Sequence, residues 1–247
     1  MRDRYSVIVG LLFLAVIAIA AINTLGGEGE RGETLGLDRM PDRWPLPEFA
    51  VPVAAGPLEG DANVAQDDCE SSAIPCPSGD VRPPACRIPG AGAIRICDLF
   101  DRPLVISFWF DRGGDCAQQQ NVVDSVYRRY RGRVNFLSLD IRDDRDTVRD
   151  LVRQRGWEMP VGYDRDGAVA ALYRVGGCPT FAYAYPGGTL QSAGIGELAA
   201  AGLSARVEQL LEATRRAERS GDGPRRRGPD RLGALARARL GGAAHRG

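Results

Sequence analysis

The sequence contains no lysine and only one histidine, His245, in a Gly/Ala/Arg-rich stretch near its last residue. The absence of lysine excludes Schiff-base chemistry and the lysine of a phosphate-binding P-loop. A folded core without an imidazole argues against a Ser-His-Asp triad, a Cys-His pair and a His-ligated zinc or copper site. The reactive groups that remain are six cysteines and a set of carboxylates.

An excess of positive charge is also missing, because 32 basic residues, all arginine, are balanced by 32 acidic residues. The chain therefore offers no overall positive field to a phosphate backbone, and it carries no basic nucleic-acid-binding motif. We expect no nucleic acid among its partners.

Residues 5–25 are uncharged and largely apolar, and two arginines precede them. About 20 helical residues span the hydrocarbon layer of a bilayer, and flanking arginines favour the cytoplasmic side. Residues 1–25 are therefore predicted to form an N-terminal transmembrane helix that anchors the chain in the cell membrane. The N-terminus is then cytoplasmic and the rest extracytoplasmic. A cleaved signal peptide is the alternative, because Ala18-Ile19-Ala20 has the small-x-small form of a cleavage site, and the protein would then be secreted.

Two other regions lack a regular hydrophobic pattern. Residues 26–84 are rich in Gly, Pro, Asp and Glu, which predicts an extended extracytoplasmic spacer, although Trp44, Phe49 and Val51 could dock on the folded domain. Residues 220–247 are rich in arginine and predict a disordered tail, with contact to anionic lipid or another protein as the alternative.

Between these regions, residues 85–219 alternate short apolar runs with segments of helical spacing, which predicts a mixed sheet covered by helices in an α/β fold. Strands are predicted over residues 104–110, 134–141, 180–185 and 189–193. Helices are predicted over residues 116–131, from Asp143 or Asp144 to 155, over 168–173 and over 200–219.

Four cysteines precede this core: Cys69, Cys76, Cys86 and Cys97. They contain no C-x-x-C pair, which argues against zinc. Outside the cytosol such cysteines form structural disulfides, and we expect the pairs Cys86–Cys97 and Cys69–Cys76. A turn over 89–92 would fold two short strands together and bring Cys86 opposite Cys97. A relay of exposed cysteines is the less favoured alternative.

A cluster of acidic residues follows the second predicted strand, at Asp140, Asp143, Asp144 and Asp146. Carboxylates at such spacing suit a hard cation, but interleaved arginines favour a solvated, capped helix start.

Three short motifs resemble the TlpA/ResA type of membrane-anchored thioredoxin-fold protein, within the wider group that includes the AhpC/TSA peroxiredoxins. Phe108-Trp109 ends a strand, Cys178-Pro179-Thr180-Phe181 resembles the cis-proline segment, and Asp164-x-Asp166-Gly167 resembles the loop before a short helix. The resemblance covers roughly residues 84–217. It implies a thioredoxin-like three-layer fold with a mixed central sheet flanked by helices.

The C-x-x-C motif of the family is incomplete in this sequence. The C-x-x-C position reads Gly113-Gly114-Asp115-Cys116, so a glycine replaces the first, nucleophilic cysteine. The family geometry places the residue before Pro179 across from this loop, which makes Cys116 and Cys178 a plausible redox pair. A permanent structural disulfide and two inert buried thiols are the alternatives.

Several neighbours are expected to support that pair: Trp109 and Thr180 from the motifs, and Arg112 and Asp115 beside Cys116. A helix N-terminus and the cation of Arg112 would stabilise a thiolate at Cys116. Asp115 would disfavour that thiolate, unless it serves as the N-cap residue of the helix.

The resemblance implies a thiol–disulfide oxidoreductase that needs no cofactor and no metal. Its partners would be extracytoplasmic protein thiols or a membrane electron donor, with the bilayer held through residues 5–25. A peroxidase is an alternative, although Trp109 and Gly113 stand where peroxiredoxins have the proline and threonine of their motif. A redox-inactive binding module is a second alternative, and a Sco-like copper carrier ranks last because its histidine is missing.

Overall fold

The computed structural model describes residues 36–56, 70–71, 74–75, 85–87, 92–113, 116–164 and 167–221. Within those ranges no helix is both long and apolar enough to cross a membrane. The predicted transmembrane helix over 1–25 lies outside the described residues, as do the tail beyond residue 221, Cys69, Cys76 and Asp115.

The described strands, in chain order, are β1 (Ala50–Pro52), β2 (Glu70–Ser71), β3 (Ile74–Pro75), β4 (Ala93–Arg95), β5 (Leu104–Trp109), β6 (Asn135–Asp140), β7 (Val161–Tyr163), β8 (Thr180–Tyr185) and β9 (Thr189–Ile195). The last five form one mixed sheet in the order β7-β6-β5-β8-β9. Strands β5, β6 and β7 are parallel, whereas β8 pairs antiparallel with both β5 and β9. The predicted mixed sheet is therefore confirmed.

The α-helices are α1 (Ala117–Tyr130), α2 (Arg145–Arg155), α3 (Ala168–Leu172) and α4 (Ala200–Arg219), and short 3-10 helices span Leu37–Arg39, Ala85–Arg87 and Ile96–Leu99. All four predicted helices are present, within a few residues of their expected ends. Strand β7 was not predicted, because three residues, one of them glycine, carry no readable alternation.

The sheet separates two hydrophobic layers because successive side chains of a strand point to opposite faces. Along β5, Val105 and Trp109 face a layer formed with α1, α2 and α4. Leu104 and Phe108 face the other layer, where α3 packs together with residues 37–51. The fold therefore has the three layers that the resemblance implies.

The segment 36–56 is part of this folded unit, which corrects the prediction of an extended spacer from 26 to 84. A bridge joins Pro45 to Thr189 at the β9 edge, and a second joins Val53 to Gly162 at the β7 edge. Between them Phe49 is fully buried. The segment crosses the sheet in an irregular, proline-rich path, and this is why its sequence shows no period.

Gly162 is the residue that lets this segment approach the sheet. A Cβ atom built at Gly162 would lie 2.6 Å from Cγ2 of Val51 and 3.4 Å from the Pro52 carbonyl oxygen. Real Cβ atoms do not approach other carbon atoms to 2.6 Å, so the glycine permits the contact between Val51 and β7. The docking expected of Phe49 and Val51 is confirmed, since both side chains are fully buried, and Trp44 packs partly buried beside them.

The Cys86–Cys97 disulfide is present, with 5.9 Å between the Cα atoms, but the hairpin predicted around it is wrong. Cys86 lies in the 3-10 helix Ala85–Arg87 and Cys97 in Ile96–Leu99. Strand β4 pairs with β1 and not with a strand near residue 86. The N-terminal segment supplies the partner strand that the prediction had assigned to the local sequence.

Candidate functional site

Cys116 lies where the loop after β5 enters α1. It is the N-cap residue of the helix, and its carbonyl accepts the N–H of Gln119 at 3.2 Å. Its own N–H donates to the Phe110 carbonyl at 3.2 Å, and its side chain is 5 % exposed. Asp115, an expected candidate for the N-cap, precedes this residue and lies outside the described residues.

Cys178 approaches the same loop from the turn before β8. The peptide bond between Cys178 and Pro179 is cis, as the resemblance implies. The Pro179 carbonyl accepts the N–H of Gly196 at 2.9 Å, and the hydroxyl of the buried Thr180 donates to the Gly177 carbonyl at 2.6 Å. These bonds fix the turn on both sides of the half-buried Cys178.

The two cysteines form a disulfide with 6.1 Å between their Cα atoms. The Phe110 carbonyl touches both halves, because it accepts the Cys116 N–H and lies 3.9 Å from the Cys178 sulfur. Cys178 is the more exposed of the two. The disulfide is therefore more open to solvent at Cys178 than at Cys116. That this bond is exchanged during function stays a prediction.

Trp109 lies beneath the site and not on its surface. The side chain is fully buried, packs edge-on against Trp157 at 5.6 Å, and donates from its indole nitrogen to the Ser138 hydroxyl at 2.8 Å. Ser138 donates in turn to the side-chain oxygen of Gln120 at 2.9 Å, and the Gln120 amide donates to the Ser107 hydroxyl at 3.0 Å. This buried network ties α1 to β5 and β6.

Gln119 and Gln120 were not predicted as site residues. The Gln119 amide donates to the Leu198 carbonyl at 2.9 Å, and its side-chain oxygen accepts the Leu198 N–H at 3.0 Å. This pair of bonds fixes the start of α1 against the loop that precedes α4. The only sequence signal is the polar run Gln118-Gln119-Gln120 in the first turn of a helix, which does not reveal which side chains are buried.

Arg112 is exposed and pairs with carboxylates. Its guanidinium lies 3.4 Å from Asp144 and 3.9 Å from Asp143. No contact described in the structure joins it to either sulfur. Its predicted role beside a Cys116 thiolate therefore stays a prediction.

The acidic cluster after β6 differs from the solvated helix start that was predicted. Asp144 does cap α2, accepting the Thr147 N–H at 3.0 Å, and this bond lowers the pKa of Asp144. Asp140 and Asp143, however, are buried, at 0 % and 1 % exposure. Burial, together with the carboxyl group of Asp143, raises the pKa of Asp140 to about 8, whereas the backbone hydrogen bonds from Arg142 and Asp143 act in the opposite direction. The pattern of alternating charges could not reveal that two of the acids turn inward.

One group in the described ranges brings metal-binding residue types together. A ligand atom each of Glu48, Cys86 and Cys97 lies within 4.8 Å of the others. The two sulfurs are bonded to each other, so in this state the group holds a disulfide and offers no thiolate ligands.

No protein-family model matches the chain. Among curated proteins, it is similar to the thiol-disulfide oxidoreductase ResA of Oceanobacillus iheyensis, with 22% identity over 99 residues. The match covers 40% of this chain and 52% of ResA, so the chain spans about half the length of the curated relative it matches.

Two solved structures resemble the chain over most of its length. One, a candidate thiol:disulfide interchange protein DsbE from Chlorobium tepidum, has a TM-score of 0.50 at 16% identity and covers 70% of this chain and 97% of its own. The other, a candidate protein disulfide isomerase from Bacteroides thetaiotaomicron, has a TM-score of 0.51 at 11% identity. It covers 73% of this chain and 96% of its own. At these identities the likeness concerns the fold. The chain therefore has a thioredoxin-like α/β fold with a mixed central sheet, and its sequence is similar to that of ResA.

Proposed function

We propose that the chain is a membrane-anchored, extracytoplasmic thiol–disulfide oxidoreductase that exchanges electrons through Cys116 and Cys178. The observation that carries this proposal is the disulfide between the N-terminus of α1 and the residue before Pro179. ResA, to which the chain is similar, is named for the same reaction. The membrane anchor is the predicted helix over 1–25.

The reaction runs through Cys178 because the first cysteine of the usual motif is absent. A partner thiolate attacks the Cys178 sulfur, the bond to Cys116 breaks, and Cys116 leaves as a thiolate. A second partner thiol, as its thiolate, attacks the partner sulfur in the mixed disulfide and releases Cys178. The partner loses two electrons and forms a disulfide. The chain gains two electrons and becomes a dithiol, with the protons of the two partner thiols taken up by its sulfurs.

Two features favour this direction of attack. Cys178 is half-buried, whereas Cys116 is 5 % exposed. Cys116 also lies at the N-terminus of the 14-residue helix α1, where the helix dipole stabilises a departing thiolate. The better leaving group is thus the sulfur that the partner cannot reach.

The partners we propose are extracytoplasmic protein thiols or a membrane electron donor, and the exchange needs no cofactor. Ile195 supports a protein partner, because it is the one large hydrophobic side chain exposed among the described residues, at 55 %. It pairs with Thr180 across β8 and β9, next to the turn of Cys178. We propose that a polypeptide partner contacts Ile195 when it reaches Cys178.

The test uses an oxidised peptide with one internal disulfide and the reduced full chain. In the Cys116→Ser variant, Cys178 attacks the peptide and the mixed disulfide is trapped by quenching in acid, because the chain has lost the Cys116 thiol that would displace the peptide and only the thiol released on the peptide can reverse the attack. In the Cys178→Ser variant, the buried Cys116 should react at least tenfold more slowly. Mass spectrometry counts the adducts. The control is the double variant Cys86→Ala with Cys97→Ala, which should exchange like the wild type.

The alternatives give different results in the same preparation. Rapid formation of a sulfenic acid at Cys116 with peroxide, without exchange with the peptide, would establish a peroxidase instead. Two sulfurs that resist both the peptide and peroxide would leave a redox-inactive binding module.

A further inference from the structure

The loop between β5 and Cys116 is held by a buried carboxylate. Asp143 accepts the backbone N–H of Asp111 at 2.6 Å and that of Arg112 at 3.1 Å. Asp143 is 1 % exposed, so water does not compete for these bonds. Phe110, which touches both halves of the disulfide through its carbonyl, is the residue before this pair of amides.

Asp140 stabilises the turn that contains Asp143. Its Oδ1 accepts the N–H of Asp143 at 2.7 Å and that of Arg142 at 3.0 Å. Its Oδ2 is buried and has no hydrogen-bond partner among the described residues. A buried, unpartnered carboxylate oxygen is costly, whereas a neutral carboxyl group carries a proton there and costs less.

We infer that Asp140 and Asp143 are positioning residues of the redox site, in which neutral Asp140 keeps Asp143 clamped on the amides of Asp111 and Arg112 and ionised Asp140 releases them. The redox role of the site rests on the proposed function, whereas the clamp rests on the hydrogen bonds of Asp140 and Asp143. The pKa of Asp140, about 8, places the release in mildly alkaline solution.

The charges around Asp140 support a release on ionisation. The neighbouring strands contribute Trp109 from β5 and Tyr163 from β7, directly opposite Asp140. The ionisable groups on the surrounding segments are Asp111, Arg112, Arg142, Asp143, Asp144, Arg145, Tyr163 and Asp164. Helix α3, whose Ala170 N–H bonds to Asp164, carries no ionisable side chain. Arg112 and Arg142 are exposed and Arg145 is half-buried, whereas the charge of the buried Asp143 opposes the ionisation of Asp140.

The first test measures the reduction rate of the Cys116–Cys178 disulfide by an uncharged phosphine, tris(hydroxypropyl)phosphine, from pH 6 to 9.5. The phosphine attacks one sulfur and becomes the phosphine oxide with oxygen from water, leaving two thiols. Asp140→Asn keeps a neutral side chain of the same size. We expect equal rates below pH 7 and at least a threefold faster rate for the wild type at pH 9.5. A ratio of the two reduction rates that stays constant from pH 6 to 9.5 would overturn the inference.

The second test needs no variant. Hydrogen exchange of the Asp111 and Arg112 amides, followed by NMR in the wild type, should rise through pH 8 more steeply than that of buried strand amides. Exchange that rises only in parallel with the strand amides would overturn the inference even if Asp140→Asn does not fold. The matched control is Asp146→Asn, in the same acidic cluster but exposed, which should leave both measurements unchanged.

Neither test uses a protein partner. If the reduction rate and the amide exchange show the expected pH dependence but the chain does not exchange with the peptide disulfide, the clamp stands and the proposed oxidoreductase is refuted. If the chain exchanges through Cys178 but the ratio of the wild-type and Asp140→Asn reduction rates does not change with pH, the proposed oxidoreductase stands and the clamp is refuted.

Discussion

The two described disulfides have nearly the same span and very different surroundings. Their Cα atoms are 6.1 Å apart in Cys116–Cys178 and 5.9 Å in Cys86–Cys97. The first joins a helix N-terminus to the turn before β8 across 62 residues, whereas the second joins two 3-10 helices across 11 residues. A carboxyl group, Glu48, lies within 4.8 Å of the second bond.

We infer from this difference that position in the fold, more than the span between the Cα atoms, would separate a reactive disulfide from a structural one. A helix N-terminus favours the thiolate that leaves, and a neighbouring carboxylate disfavours it. Among the described residues, Cys116 lies at a helix N-terminus, and Cys86 and Cys97 lie near the carboxyl group of Glu48. We therefore expect Cys116–Cys178 to exchange and Cys86–Cys97 to remain as a structural bond.

The largest effect is expected from removing each disulfide by replacing both of its cysteines with alanine. The loop closed by Cys116–Cys178 is longer, so its loss should lower the free energy of unfolding by about 4 kcal/mol, against about 3 kcal/mol for Cys86–Cys97. Urea denaturation of the two double variants measures the difference. A larger loss for Cys86–Cys97 would contradict the expectation from loop length.

The next effect concerns Asp140, which is fully buried beneath the loop before Cys116, whereas Glu48 beside Cys86–Cys97 is only half-buried. Folded Asp140 keeps its proton up to about pH 8, whereas the unfolded chain loses it near the ordinary pKa of 3.8. Stability from this group is complete below the ordinary value and is lost as the pH rises to about 8. Relative to Asp140→Asn, the wild type should lose about 4 kcal/mol between pH 5 and pH 8, at about 1.4 kcal/mol per pH unit. Parallel stability curves for the two proteins would contradict this.

A smaller effect is expected at Gly113, where the usual first cysteine is missing. Its φ is +82°, and nothing lies within 4 Å of a Cβ atom built there, so a side chain has room but adopts a strained backbone. Gly113→Cys should compete with Cys178 for Cys116 and cost about 1 kcal/mol of stability. Peptide mapping of the oxidised variant measures the two linkages. Gly113→Ala is the control for the backbone cost, and an unaltered Cys116–Cys178 linkage would show that the loop does not accept a C-x-x-C pair.

The smallest effect is expected at Ile195. Ile195→Asp removes an exposed apolar contact beside Cys178, so exchange with a protein disulfide should slow by about threefold, the cost of one apolar contact. Reduction by the phosphine should be unchanged, because a small reagent does not use that contact. Equal slowing of both reactions would mean that the substitution disturbs the disulfide itself. Leu198→Asp, on a partly buried side chain, tests whether any nearby apolar residue has the same effect.

Much of the fold could be predicted from the sequence because its signals are local. The apolar run that became β5 and the periodic segments that became α1 and α4 fold as their own side chains dictate. Residues 36–56 gave no such signal, since their burial depends on strands more than a hundred residues away, such as β9. The short strand β7 likewise exists only through its pairing with β6.

The sequence by itself pointed to the cysteines as candidate reactive groups, because it contains no lysine and its one histidine, His245, lies near its last residue. Its motifs also indicated which turn carries Cys178. Only the tertiary structure decided that Asp143 clamps the loop, that Asp140 is buried beneath it and that Gln120 ties α1 to the sheet. Burial and pairing of a polar side chain depend on which strands and helices become neighbours, and no local pattern of residues encodes that.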